Sequence, residues 1–392
     1  MIRLEFVSDS SGVLDWDWAS ALRFLPFDLD TLAVETGALT RRRGVEGGEA
    51  LVRSLLLLGI PNATLERASI MARELGFGKM NKTAYIKRVS KSEKLLQSVF
   101  LHTLKFSVNA GDKWKGLRLV AVDATCLSGP AAKGTDQKLH TVYDLSRGLP
   151  LSVEITDCHG GEALWRHTAF GNGDLVLSDS GYGYNRSFLW ALHSGARICM
   201  RFNFQTVTLN NEKGERIWAD EVNPTMPEED ALDIVVRLPG WDRPLRAVGS
   251  RNDEGEPVWL LTDLSQRELP TYEVRQLYRC RWQIELYFKR LKSLLDLDAL
   301  PTRDGPTARP WIWTKLILAS LATLMAHERF SPWGYPQAEK EAQPLGQFRL
   351  GNDGRRKGAT RARSTAQEGT PKGKGEAKTQ RKNPQATTLL EA

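Results

Sequence analysis

The sequence predicts an α/β protein: a mixed sheet, interrupted by a β-rich insertion and preceded by an all-helical N-terminal domain. Three features carry that expectation. Residues 1–110 hold helix-like segments separated by polar breaks. Beyond them come short β-branched runs, two of which end on aspartates, Asp123 and Asp179. Later, Tyr278 to Lys292 shows the alternating charged and apolar spacing of an amphipathic helix.

The N-terminal helices read as Thr31–Thr36, Gly47–Leu58, Thr64–Leu75, Thr83–Ser90 and Ser92–Leu104. The break at Gly76-Phe-Gly78 outlines two helices joined by a turn. Arg41, Arg42, Arg43, Lys79, Lys82, Lys87, Arg88, Lys91 and Lys94 supply basic side chains in this region. One reading is a DNA-binding domain with a helix entering a groove. The other is a helical bundle whose charges are merely solvated.

Leu117–Ala124 is an apolar run that ends on Asp123, and Leu175–Ser180 is a second, ending on Asp179. Thr141–Leu145 and Pro150–Asp157 are strand candidates between them, with a hairpin turn at Arg147-Gly148. Helical pieces are expected over Glu162–Thr168 and Arg186–His193, then a fifth strand over Ala196–Phe202. Strand, strand, strand, helix, strand, helix, strand is the order of an RNase H-like fold. In that fold the first and fourth strands are neighbours, so Asp123 and Asp179 are expected side by side. Together with Glu285 they offer hard carboxylate oxygens of the kind Mg²⁺ prefers.

Tyr278, Arg281, Glu285 and Lys292 stand at offsets of three, seven and fourteen. On one helix, at about 100° per residue, they share a sector of roughly 60°. Ile284, Phe288, Leu291 and Leu295 form the adjoining apolar stripe. A carboxylate framed by two cations and a phenol suits a site that holds a metal ion against a phosphate backbone. A solvent-facing helix laced with ion pairs has similar spacing. The two upstream aspartates favour the site.

From Asn203 to Leu264 the strand-like pieces are Gln205–Leu209, Ala231–Val236, Pro244–Val248 and Pro257–Thr262. Turns at 210–214 and 251–255 separate them. The expected organisation is a helical domain over 1–110, core over 111–202, insertion over 203–264, core helices over 265–343 and a tail over 344–392.

The tail holds 11 Lys and Arg against 4 Asp and Glu, so it carries the whole net charge of +7. The rest of the chain is formally neutral, and any DNA contact there must come from local patches. The polar, Gly-rich tail is expected to be disordered. Cys126, Cys158, Cys199 and Cys280 lack metal-ligand spacing, and the six histidines do not cluster, which argues against zinc. The charged start carries no signal-peptide pattern, and the apolar run Leu316–Met325 is too short to span a bilayer. A cytoplasmic, nucleoid-associated protein with no membrane partner is expected, and Leu316–Met325 should be a packed core helix.

Asp123, the Asp179-Ser-Gly-Tyr182 turn and the Tyr278, Arg281, Glu285, Lys292 spacing together resemble the DDE-type insertion-sequence transposases with a Y-R-E-K signature, the IS-four-like group. The resemblance covers roughly Leu32 to His327. It departs at Ser180, where relatives often carry a basic residue. The resemblance implies an RNase H-like catalytic core split by an all-β insertion. It also implies that Asp123, Asp179 and Glu285 hold two Mg²⁺ ions, for which Mn²⁺ substitutes. Arg281 and Lys292 would grip phosphates, Tyr278 would hydrogen-bond the same backbone, and Trp259 would stack on a base flipped from the DNA end. The partners it implies are double-stranded DNA, as element ends and as target, and a second copy of the chain in a synaptic homodimer. The activity implied is metal-dependent DNA cleavage and strand transfer. A catalytically silent DNA-binding regulator, or a nuclease that never joins strands, is compatible with the same residues.

Overall fold

The structure is a computed structural model that describes residues 18–106, 113–164, 170–228 and 230–330. The expected tail, and most of the helix expected over Glu162–Thr168, lie outside the described residues. Helices build the N-terminal region: α1 (Trp18–Leu22), α2 (Leu29–Glu35), α3 (Gly48–Leu56), α4 (Leu65–Glu74), α5 (Lys82–Val89) and α6 (Glu93–Thr103). Asp28, Thr64 and Asn81 cap α2, α4 and α5, each accepting from the backbone N–H three residues on.

Eight strands follow in one sheet: β1 (Arg118–Leu127), β2 (Gln137–Asp144), β3 (Leu149–Asp157), β4 (Asp174–Ser178), β5 (Arg197–Phe202), β6 (Leu232–Val236), β7 (Leu245–Arg251) and β8 (Pro257–Thr262). Their order is β3-β2-β1-β4-β5-β8-β7-β6. Only the β1–β4 and β4–β5 pairs are parallel, and the rest are antiparallel. The helices interleaved with or following the strands are α7 (Asn185–His193), α8 (Ala219–Val222), α9 (Thr271–Arg279), α10 (Trp282–Leu295) and α11 (Gly305–Phe330).

Successive strand residues point to opposite faces, so each strand feeds two cores. Val120 and Val122 of β1, Val176 of β4 and Ile198 of β5 join Phe188 of α7 on one face. Ala121, Leu175, Leu177 and Cys199 face the other side and join Ile284, Phe288 and Leu291 of α10. That second cluster runs on through Trp313, Leu316 and Ile317 of α11 into Leu51, Leu55, Leu95 and Phe100 of the N-terminal helices. The run Leu316–Met325 is thus part of a packed helix. No helix among the described residues is long and apolar enough to cross a membrane.

Three expectations are corrected. Gln205–Leu209 is not a strand: side chains satisfy its backbone in place of a ladder. Gln205 N donates to Asn203 Oδ1, and Asn185 both donates to Thr208 O and accepts from Thr208 N. The segment 203–264 is not all-β, because it contains α8, and its strands extend the main sheet through the β5–β8 pair. The Tyr278–Lys292 helix is broken. The chain tightens at Cys280–Arg281, where Cys280, Arg281, Gln283 and Ile284 each donate to the carbonyl three residues back.

Arg118 and Asp174 are register partners at the start of the β1–β4 pair. They are also joined by two hydrogen bonds, Nε to Oδ1 at 2.7 Å and Nη2 to Oδ2 at 2.9 Å. Asp174 is buried and accepts from Gly171 N as well. Replacing Asp174 with Ala strands a half-buried guanidinium and an N–H, which should lower stability by about 3 kcal/mol. Urea unfolding of the variant measures it, and a change within about 0.5 kcal/mol would mean the pair is a bystander.

Candidate active site

The parallel register decides where the two aspartates stand. Val122 is opposite Ser178 in the β1–β4 pair, so Asp123 and Asp179 are the next residues along adjacent strands. Asp123 is not the end of its strand, as expected, but the point where the pairing with β4 stops. β1 runs on to Leu127 against β2, with Asp123 opposite Thr141. By alternation, Asp123 follows Ala121 and Asp179 follows Leu177 onto the face covered by α10. Asp179 directly follows β4 and caps a 3₁₀ turn over Ser180–Tyr182, its Oδ1 accepting from Gly181 N at 3.0 Å.

Glu285 comes from the first turn of α10, which packs on β1. Arg281 sits at the break before it. Its Nη2 donates to Glu285 Oε1 at 2.5 Å, and its Nη1 lies 3.5 Å from Asp123 Oδ2. The tight joint also brings residues three apart into eclipse. The Arg281 guanidinium therefore lies 5.6 Å from the centre of the Tyr278 ring. Only 15% of the Arg281 side chain is exposed. Burial works against its charge, but Tyr278, Glu285 and Asp123 outweigh that and raise its pKa. Tyr278 Oη is buried and makes no hydrogen bond among the described residues. Burial, then the Asp179 charge, push the Tyr278 phenol up to about 12 against the opposing pull of Arg281.

Lys292 reaches from two turns further along α10 and donates to Cys126 O at 3.3 Å. With Asp123, Thr125, Glu285, Lys289 and Asp298 it lines an open groove of about 470 Å³. Lys289 was legible in the sequence, since it lies four residues beyond Glu285 on the same helical face. Asp298 carried no sequence signal. Glu162 was read only as the start of a helix, yet it approaches Asp179 closely. A Cβ at Gly181 would lie 2.0 Å from Glu162 Oε2, so the glycine leaves room for that carboxylate. Burial and the Asp179 charge both raise the Glu162 pKa, with Lys138 opposing.

Trp259 does not belong to this groove. It is 4% exposed, donates from Nε1 to Asn223 Oδ1 at 2.8 Å and packs edge-on against Phe204. In this conformation the expected stacking role has no free ring face, because strand alternation turns Trp259 into the core shared with α7.

No three His, Cys, Asp or Glu side chains among the described residues are gathered tightly enough to hold a metal ion. The Arg281 cation stands between Asp123 and Glu285 instead. A cation is thus already accommodated between hard carboxylate donors, and such donors fit a hard divalent ion.

Acidic groups carried to one end of a parallel strand pair and met by a crossing helix with flanking cations form a site for polyanion chemistry. The chain belongs to the Transposase DDE domain family, which matches residues 114–321. It is therefore a DDE transposase, an enzyme of phosphodiester cleavage and transfer. The chain is 29% identical over 343 residues to InsL of insertion sequence element IS186A from Escherichia coli K12, covering 78% of this chain and 92% of that one. It is 28% identical over 344 residues to the transposase for insertion sequence element IS421 of Escherichia coli, with the same two coverages. The piggyBac transposase, in a synaptic complex with hairpin DNA, aligns with a TM-score of 0.47 at 10% identity over 79% of this chain and 74% of that one.

Two measurements follow from the packing and charge of this region. Burial, and then the neighbouring Asp179 and Glu285, push the Asp123 carboxyl up to about 6 from 3.8, although Ala124 N and Arg281 oppose the shift. An acid whose folded pKa lies above its unfolded value loses stability as pH rises between the two. Asp123→Asn should therefore stabilise the metal-free protein at pH 7 by up to about 3 kcal/mol. The gain should shrink as pH falls from about 6 towards 4, and a pH-independent difference would contradict it. Trp259→Ala should cost about 3–5 kcal/mol in chemical denaturation. A loss below about 1 kcal/mol would restore Trp259 as a free surface group.

Proposed function

We propose that the chain binds the ends of an insertion sequence and carries out metal-dependent cleavage and strand transfer at one site built from Asp123, Asp179 and Glu285. The observation that carries the reading is the β1–β4 register, which sets the two aspartates side by side on the face that Glu285 crosses. In this reading β1–β5 with α7 form an RNase H-like core, and residues 203–264 are its insertion.

Asp123, Asp179 and Glu285 would hold two divalent ions, Mg²⁺ or in its place Mn²⁺. Bound there, the ions would activate water or a 3′-hydroxyl for in-line attack and stabilise the leaving oxygen. The other residues act on the DNA. Lys292 and Arg281 bind phosphates flanking the scissile bond, Arg281 by turning from the carboxylates it now bridges to the backbone. Arginine suits that exchange because its planar fork matches carboxylate and phosphate alike. Tyr278 Oη, buried and without a hydrogen-bond partner among the described residues, donates to the same backbone. The helical N-terminal region, with α4 and α5 joined by a turn, delivers the ends. Two ends brought together call for a homodimer.

The deciding experiment is cleavage of labelled element ends with Mg²⁺ by wild type, Asp123→Ala, Asp179→Ala and Glu285→Ala. Each variant should fall to background cutting while keeping wild-type end binding in a gel shift. Wild type that binds ends and cuts nothing with Mg²⁺ or Mn²⁺ would be a regulator. Cutting without joined products would leave a nuclease.

A further inference from the structure

Residues 1–343 are formally neutral, so a grip on DNA there must come from places where cations stand uncompensated. Some basic side chains of the N-terminal region are already compensated. Lys82 is 2.8 Å from Glu66. Arg53 lies over the rings of Trp18 and Phe77, within 3.9 Å of Glu49. Arg41, Arg42 and Arg43 differ: all three are exposed, and no ion pair engages them among the described residues.

Their loop has a specific support. The Arg88 guanidinium, from the last turn of α5, donates Nη1 to Ala38 O at 3.2 Å. It donates Nη2 to Arg41 O and, at 3.4 Å, to Arg43 O. The far end of the loop is pinned by Lys79 N donating to Gly44 O at 2.7 Å, with Gly44 in the left-handed region at φ 74°. Ala38, Leu39 and Val45 are buried at its two ends. The carbonyls of Arg41 and Arg43 are thus turned onto one guanidinium while their side chains face solvent. A fourth cation, Arg88, sits beneath three others, and like charges so gathered repel one another. A bound polyanion would offset that repulsion.

We infer that residues 38–44, shaped by Arg88, form a phosphate-binding loop for duplex DNA, with Arg41, Arg42 and Arg43 as the contacting side chains and Arg88 as a positioning residue. This rests on the transposase reading above and adds where the duplex backbone is held. Three forks on a short loop match a strand whose phosphates repeat every few ångströms. Exposed Lys79, next to Gly44, and Lys87, next to Arg88, extend the same surface. The contacts are with the backbone, so the loop adds affinity without reading sequence.

The test is fluorescence anisotropy of the full-length protein on a fluorescein-labelled random-sequence duplex across a salt series. Removing one cation that neutralises a phosphate should make the slope of log K against log salt shallower by about 0.9. Arg41→Gln/Arg42→Gln/Arg43→Gln should therefore flatten it by up to about 2.7. Arg88→Gln should flatten it by a comparable amount, and adding it to the triple variant should change nothing further. If Arg88→Gln fails to fold, the triple variant, confined to exposed side chains, still decides the loop. A wild-type slope in the triple variant overturns the loop. A further drop of about one unit when Arg88→Gln is added makes Arg88 a phosphate ligand rather than a clamp. Failure of the wild type to bind duplex at all would sink the transposase reading itself, and the loop with it.

Discussion

The register of one parallel strand pair governs this protein. Arg118 opposite Asp174 at one end of β1–β4 makes Val122 opposite Ser178 at the other. Asp123 and Asp179 then emerge together where the pairing stops. A slip by one residue would turn one aspartate to the opposite face of the sheet, towards α7 and away from Glu285. The salt-bridged pair at the start of the strands is thus the remote support of the groove at their end. Arg197 serves β5 similarly. It pairs with Asp263 at 2.6 Å and Glu268 at 2.9 Å, fixing the chain that leaves β8 before it enters α9.

The groove is built against its own electrostatics. Carboxylates are brought together and partly buried, and Asp123 is pushed up in pKa as a result. Arg281 relieves the repulsion by bridging Asp123 and Glu285. It stands at the break ahead of α10, beside the Tyr278 ring and between the acids, so its contacts with Tyr278 and Glu285 keep to the sector that the spacing suggests. The residue expected to hold phosphate is therefore also the internal counter-ion of the site.

The N-terminal helices and the helices around the groove share one apolar cluster, so support for the site comes from both ends of the chain. At Gly59 the first region meets α11 so closely that a Cβ would lie 2.3 Å from Leu318 Cδ1. The end of α10 is held from two directions. Asn62 N donates to Asp296 Oδ2 at 2.7 Å, and Lys315, 1% exposed, donates from α11 to Leu295 O. Burial pulls the Lys315 pKa down to about 8 while Asp296 and Asp298 oppose. A cation at a helix C-terminus also complements the helix dipole.

Much of this was legible in the sequence alone. Apolar runs marked β1, β4, β5 and β8, and polar breaks bounded α2 to α6 to within two residues. The spacing of Glu285 and Lys292 on one helix survives because it lies wholly within α10. What periodicity reports is which residues share a face of one element. It does not report what that face meets. Gln205–Leu209 has strand-like residues, but Asn185 and Asn203 take its backbone bonds. Trp259 has the composition of a stacking platform, and the β5–β8 pairing carries it into the core. Glu162 reaches Asp179 only because a loop folds back over Gly181. The sequence by itself marked the strands β1 to β5 in their order, the three acids and the cations beside them. The tertiary structure decided which acids meet, that Arg281 stands between two of them, and that Trp259 is core, because each depends on contacts between segments far apart along the chain.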